Sequence, residues 1–319
     1  MLIDVHSHYL PRALAAALEK RRVAPRIRDG YIEYGEGSGT PLSSGFTDID
    51  VIVQRMDEAR IDHAVLSVTI PGVDWLDAEE AAGVARACND ETAATVAAHR
   101  ARFTGLATVP LQSPAAAVDE LRRAAGLGLK GVMIYSNVAG AYLDTADRRA
   151  FFAAAAELDL PVMLHPTYPV CAAPTMVGGL MEMAGFLFDT THAALRLVFD
   201  GLYERHPDFK FFVPHSGSFI PYFTGRIDMV ASARRGAMGA LTSQPSEHIR
   251  RFYVDTVTAS PQSVRYCCEF FGVDRVMHGT DHPFWPMASG PRLLDGCGLA
   301  GEERAKIEHQ NAARLFGIG

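Results

Sequence analysis

Leu2-Ile3-Asp4-Val5-His6-Ser7-His8 opens this chain of 319 residues as a short apolar run that ends in two histidines one residue apart. In an extended backbone, residues i and i+2 face the same side. His6 and His8 therefore aim their imidazoles at one point, as two ligands of one metal ion must. Imidazole is the commonest metal-binding side chain, and zinc sites combine it with carboxylates. Taken alone, the pair also fits a strand that ends in a polar turn. Its meaning depends on what stands at the ends of the other strands.

Counting 2–6 as the first, β-rich runs recur at 63–68, 103–109, 130–135, 161–165, 210–214, 251–256 and 275–279. Helical patterns lie between and after them, at 48–60, 78–100, 114–126, 146–158, 191–205, 220–237, 261–271 and 302–316. Ser113-Pro114 and Ser260-Pro261 each read as an N-cap followed by an N1 proline. Strands alternating with helices predict a parallel sheet, because each crossover helix returns the chain to the same end. The expected fold is α/β, a (β/α)8 TIM barrel forming a single domain over 1–319. An open doubly wound sheet is the rival, but it gives no reason for where the polar residues fall.

Two connections exceed a simple turn. Residues 9–47 carry Gly30, Gly35, Gly37 and Gly39 with Tyr31 and Tyr34, and residues 166–190 are rich in Met, Gly and Phe. Long loops in a compact domain are usually functional. Both leave C-terminal strand ends, where a barrel places its active site, so they are expected to wall and cover one pocket.

Metal-capable residues gather at that same rim. His6 and His8 end the first strand, His165 the fifth, His215 the sixth and Asp281 the eighth. Singly, His165 reads as a core histidine, His215 as a turn residue and Asp281 as a helix cap. Jointly they converge on one mouth, which points to a catalytic centre. Elsewhere, His63 begins a strand at the opposite end, His99 and His206 sit at helix C-termini, and His192, His248 and His309 belong to helices or their approaches. His278 and His282 flank Asp281 and are expected in the core or beside the site.

Composition narrows the partners. Hydrophobic residues at 48% allow a large core, and 30 Lys+Arg against 37 Asp+Glu leave a net charge of −7. With no long basic run, nucleic acid is excluded and a small molecule is expected. Cysteines at 88, 171, 267, 268 and 297 form no CxxC pair, which suits a reducing, cytoplasmic setting. Asp4 and the lack of a basic leader predict no signal peptide, and no apolar run suggests a membrane helix.

These residues together resemble the amidohydrolase superfamily, in its decarboxylase-rich branch typified by 2-amino-3-carboxymuconate-6-semialdehyde decarboxylase. The likeness rests on Ile3-Asp4-Val5-His6-Ser7-His8, His165-Pro166, Phe188-Asp189-Thr190-Thr191, His215-Ser216-Gly217 and Gly279-Thr280-Asp281-His282-Pro283-Phe284. It implies that His6, His8, His165 and Asp281 hold one divalent metal ion, with zinc expected and manganese the alternative. It also implies that His215 acts as acid/base, with Asp281 the alternative proton donor.

Arg226 resembles an arginine that grips the substrate carboxylate, sometimes from a neighbouring subunit, which would make the enzyme a homodimer. Otherwise it is a surface arginine paired with Asp228 or Asp189. Binuclear relatives carry a modified lysine at the end of the fourth strand; here Lys130 begins that strand and its end reads Ile134-Tyr135-Ser136-Asn137, so one metal is expected. Ile52 stands where the semialdehyde decarboxylase has a second arginine, which argues for a different substrate. Phe186, Phe188, Met176, Met181 and Trp285 would suit an aromatic ring. The expected activity is decarboxylation of a hydroxyaromatic (salicylate-like) or unsaturated carboxylic acid. A hydrolase or hydratase acting on a lactone, amide or enol acid is the alternative, and a metal-binding barrel without catalysis comes third.

Overall fold

The structure is a computed structural model and describes residues 1–35, 38–172, 177–234 and 239–319. Eleven strands occur among them: β1 (Ile3–Tyr9), β2 (Arg26–Arg28), β3 (Tyr31–Gly35), β4 (Ser38–Pro41), β5 (His63–Val68), β6 (Phe103–Gly105), β7 (Val132–Tyr135), β8 (Val162–His165), β9 (Phe211–Phe212), β10 (Val254–Asp255) and β11 (Val276–Met277). Leaving aside β2–β4, each falls on one of the eight expected runs. They pair in parallel as β1-β5-β6, β7-β8-β9 and β10-β11.

Single parallel bridges join these sets, at Ala107–Val132, Phe212–Tyr253 and Ser7–His282. The last set also meets the first through backbone N–H groups: Val5 donates to His278 O at 2.9 Å, His8 to His282 O at 2.7 Å, and Asp281 to His6 O at 2.7 Å. Every residue of β1, β5, β7 and β8 is buried, as strands covered on both faces should be.

Helices cover the strands. Asp48 caps the helix Ile49–Ala59 by accepting from the N–H groups of Asp50 and Val51. Ser260 caps Pro261–Phe271 through Ser263 N–H, as expected, whereas Ser113 makes no side-chain cap although Pro114 does open Pro114–Gly126. The helix expected at 191–205 begins earlier, at Phe186, and breaks at Gly201, whose φ of 83° glycine adopts without strain. The helix expected at 220–237 runs Ile220–Ala233, and 235–237 lie outside the described residues. A further helix, Ser289–Asp295, had no clear sequence signal.

The long first connection is not irregular. It holds the helix Arg12–Lys20 and a three-stranded antiparallel sheet, β2-β3-β4. Asp29-Gly30 turns β2 into β3 with φ of 50° and 77°, the pattern of a type I′ hairpin. Gly39 lets β4 lie close against β3, since a Cβ there would stand 2.8 Å from Ile32 O. In the second long connection, Met181–Gly185 forms a π-helical turn that leads directly into Phe186–Phe199. No helix among the described residues is long and apolar enough to cross a membrane, and all five cysteines are free.

Candidate metal centre

The end of β1 meets the ends of β8 and β11. His6 Nε2 lies 2.9 Å from His8 Nε2, which in turn lies 3.1 Å from His165 Nε2. Asp281 Oδ1 stands 3.2 Å from both His6 Nε2 and His8 Nε2, and 4.0 Å from His165 Nε2. All four ligand atoms fall within 4.8 Å of one another, and all four residues are buried.

The other nitrogen of each imidazole is already engaged. His6 Nδ1 donates to Asp255 Oδ2 at 2.7 Å, and His165 Nδ1 donates to Pro166 O at 2.7 Å. His8 Nδ1 lies 2.8 Å from Ser67 Oγ. With their Nδ1 protons committed, His6 and His165 turn bare Nε2 lone pairs toward the centre. Asp281 Oδ1 is buried there with no hydrogen-bond partner among the described residues. Lone pairs crowded this closely repel each other unless a cation lies between them. Three imidazole nitrogens and one carboxylate oxygen fit a divalent ion and leave a position open.

Protonation favours the same reading at His8, His165 and Asp281. Burial pushes His8 down to about 4, and burial followed by the neighbouring His8 holds His165 well below its ordinary value. At Asp281 burial works to raise the pKa, but the surrounding histidines, His6 foremost, hold the carboxyl well below the usual carboxylate range. His6 differs: burial opposes its charge, yet Asp281 and Asp255 raise it.

His215 stands beside this cluster on a different kind of support. Its Nε2 is 3.5 Å from Asp281 Oδ2, and its ring centroid is 5.1 Å from that of His6. His215, Ser216, Gly217 and Ser218 have φ of 53°, 57°, 74° and 58°, a left-handed run in which only the glycine is unstrained. Asp255 braces the run: its Oδ1 accepts the Ser216 N–H at 3.1 Å while its Oδ2 holds His6. Asp4 ties the opposite side, accepting from the N–H groups of His6 and Thr280 at 3.0 Å each and from Thr280 Oγ1 at 2.5 Å.

The Amidohydrolase family model matches residues 3–318. The chain belongs to the amidohydrolase family. It is 32% identical over 327 residues to the gamma-resorcylate decarboxylase of Rhodococcus jostii (strain RHA1), covering 94% of this chain and 97% of that one. It is 28% identical over 306 residues to the 2-amino-3-carboxymuconate-6-semialdehyde decarboxylase of Dictyostelium discoideum, covering 88% and 81%. Among solved structures it resembles the 5-carboxyvanillate decarboxylase of Novosphingobium aromaticivorans, complexed with manganese and 4-hydroxy-3-methoxy-5-nitrobenzoic acid. That likeness has a TM-score of 0.89 and 26% identity, and covers 100% of this chain and 96% of that one.

Within this amidohydrolase, the remaining expected residues divide. Tyr135, not a lysine, ends β7, and its Oη donates to Val68 O and Thr69 O at 2.9 and 3.0 Å. Arg226 is exposed on the helix Ile220–Ala233, and no hydrogen bond or ion pair among the described residues links it to the cluster. Neither expected ion pair forms there: Asp228 accepts from Ser246 N–H, and Asp189 is taken up by Ser136, Asn137 and Tyr142.

Met181 is buried, Phe188 and Trp285 are largely exposed, and Met176 lies outside the described residues. Two aromatic rings stand beside the histidines: Phe284, whose centroid is 5.9 Å from that of His8, and Tyr135, 6.2 Å from His165. Ile52 is fully buried; one helical turn on, Arg55 lies against Gly45, where a Cβ would meet its Nη1 at 2.0 Å. His282 joins that wall, its Nε2 lying 3.2 Å from Gly45 O, and burial followed by Arg55 lowers it to about 4. His278 lies 3.2 Å from Ile3 O in the core, and His63 bonds Thr104 at the far end of β5. Asp255 and Ser67 are not among the residues expected from the sequence. Asp255 had a signal, since it stands at the end of the seventh strand just as the histidines stand at theirs.

Proposed function

We propose that this amidohydrolase is a metal-dependent, non-oxidative decarboxylase of a hydroxyaromatic acid of the salicylate type, built as one (β/α)8 barrel over 1–319. The observation that carries the reading is the cluster of three Nε2 atoms and Asp281 Oδ1, with His215 alongside it. The names of its relatives supply the reaction class. The bridges from each strand set to the next, and from the last back to the first, support closure of the barrel. His6, His8, His165 and Asp281 would hold one divalent ion, zinc or manganese, and manganese is the ion in the Novosphingobium relative. Such an ion supplies a Lewis acid that polarises an oxygen of the substrate.

The chain's own residues carry the proton. As the bond from the ring carbon to the carboxyl breaks, its electron pair stays on the ring carbon and carbon dioxide leaves. His215 then delivers a proton to that carbon, so a hydrogen takes the carboxyl's place. Asp281 Oδ2 lies 3.5 Å from His215 Nε2, within reach of the same proton. Phe284 and the neighbouring apolar residues suit an aromatic ring.

The oligomer belongs to the same proposal. Tyr222, Phe223, Met229 and Val230 are 59%, 51%, 73% and 44% exposed, and with Arg226 they occupy one face of Ile220–Ala233. An apolar stripe of this kind on a helix surface suits burial against a partner. A second copy of the chain would cover it in a homodimer, and Arg226 at its centre would reach the carboxylate in the partner's site. A cytoplasmic setting accords with five free cysteines.

The test is carbon dioxide release by metal-loaded protein from salicylate, 2,6-dihydroxybenzoate and 5-carboxyvanillate. At least one should be turned over, and chelation should stop the reaction. Silence across the panel, with hydrolysis of lactones detected, would replace this reading with a hydrolase.

A further inference from the structure

Tyr34 belongs to β3, in the small sheet inserted after β1. Exposure alternates along that strand: Tyr31 is 50% exposed, Ile32 is buried, Glu33 is half-buried and Tyr34 is 6% exposed. Period 2 therefore puts Ile32 and Tyr34 on one face. That face packs into the apolar cluster containing Tyr135 and Met163, with Tyr168 and Phe284 against it. Tyr168 and Phe284 follow His165 and Asp281 in the chain by three residues each.

Contacts among the described residues fasten the insert over this end of the molecule. Gly35 faces the Tyr168 ring so closely that a Cβ would come within 2.0 Å of it, and Ser38 Oγ donates to Glu182 Oε1 at 3.2 Å. Burial, then the charges of Asp281 and Glu182, hold the Tyr34 phenol protonated, well above its ordinary range. Yet Tyr34 Oη has no hydrogen-bond partner among the described residues. A buried tyrosine hydroxyl ordinarily finds an acceptor, and leaving it unmet is destabilising.

We propose that the Tyr34 hydroxyl donates a hydrogen bond to an oxygen of the bound hydroxyaromatic acid, which makes the inserted sheet part of the substrate site. This rests on the decarboxylase reading above and assigns a residue to it. The donor comes from the insert and not from the strand ends, so acids are selected by where their oxygens reach. A phenol hydroxyl donates to an anionic acceptor without bringing a charge of its own.

The experiment compares Tyr34→Phe with wild type, both metal-loaded, using 4-hydroxy-3-methoxy-5-nitrobenzoic acid and 2,6-dihydroxybenzoate as probes in calorimetric titrations. Affinity for at least one probe should fall about tenfold, the loss of one such hydrogen bond. The variant's Tm without ligand should be unchanged or higher, because an unmet buried hydroxyl has been removed. Its ligand-induced rise in Tm should shrink. Unchanged affinity for both probes would overturn the assignment, whether or not Tm falls, and a lower Tm would then mark Tyr34 as structural. If wild type binds neither probe and decarboxylates no member of the panel, the reading beneath fails and this assignment fails with it.

Discussion

His165 and His215 end neighbouring strands, and they are held in opposite ways. His165 closes β8 with both ring nitrogens engaged, Nδ1 on Pro166 O and Nε2 in the cluster. His215 rides a left-handed run of backbone just past β9, and its Nδ1 has no hydrogen-bond partner among the described residues. The first arrangement fixes an orientation, which a metal ligand needs. The second leaves a ring free to pass a proton, which an acid/base needs. Strain concentrated at His215, and braced by Asp255, is what a functional residue held against its backbone preference looks like.

This contrast breaks if the two histidines respond alike to substitution. His215→Ala should lower kcat by roughly 10²–10⁴-fold while the metal content of the purified protein stays that of wild type. Loss of metal in that variant would erase the distinction. Asp255→Asn touches both sides at once, because Asp255 orients His6 and braces the His215 run. Titration with metal should show an affinity loss of about 10–100-fold, together with reduced kcat.

Arg226→Ala should raise KM by about tenfold with a smaller effect on kcat, as removal of a carboxylate contact does. Mixing that variant with His215→Ala should restore activity if the arginine crosses a dimer interface, because one hybrid site then holds both intact residues. No recovery would place the arginine's role within its own subunit, or deny it one.

The smallest effect concerns a carboxyl that lacks such partners. Asp74 is buried with Oδ2 unpartnered among the described residues, and burial, only partly offset by Arg148, raises it to about 8. The folded protein thus holds a proton that the unfolded chain releases near pH 4, so this group's contribution falls as pH rises from about 4 to about 8. Tm measured from pH 5 to 8 should decline in wild type and decline less in Asp74→Asn; parallel curves would show Asp74 to be paired.

Much of this was legible in the sequence because parallel strands buried on both faces must be apolar, and polar residues at their ends stand out. His6, His8, His165, His215 and Asp281 stand out that way. Asp255 follows the same rule, but a carboxylate two residues from Tyr253 reads as an ordinary strand end. The inserted sheet is harder to read: Asp29-Gly30 between Ile27 and Ile32 is a hairpin signal, yet four nearby glycines read as a loop. Arg226 is a different case: in the proposed homodimer the group it serves would lie on a second copy of the chain, which one sequence does not display.

The central claim is that His6, His8, His165 and Asp281 hold one ion for the chemistry at His215. Metal analysis of protein purified without added ions, alongside His165→Ala, tests it most directly. The account predicts about one equivalent per chain in wild type and loss of that metal in the variant. Two equivalents in wild type, none, or unchanged content in His165→Ala would contradict it.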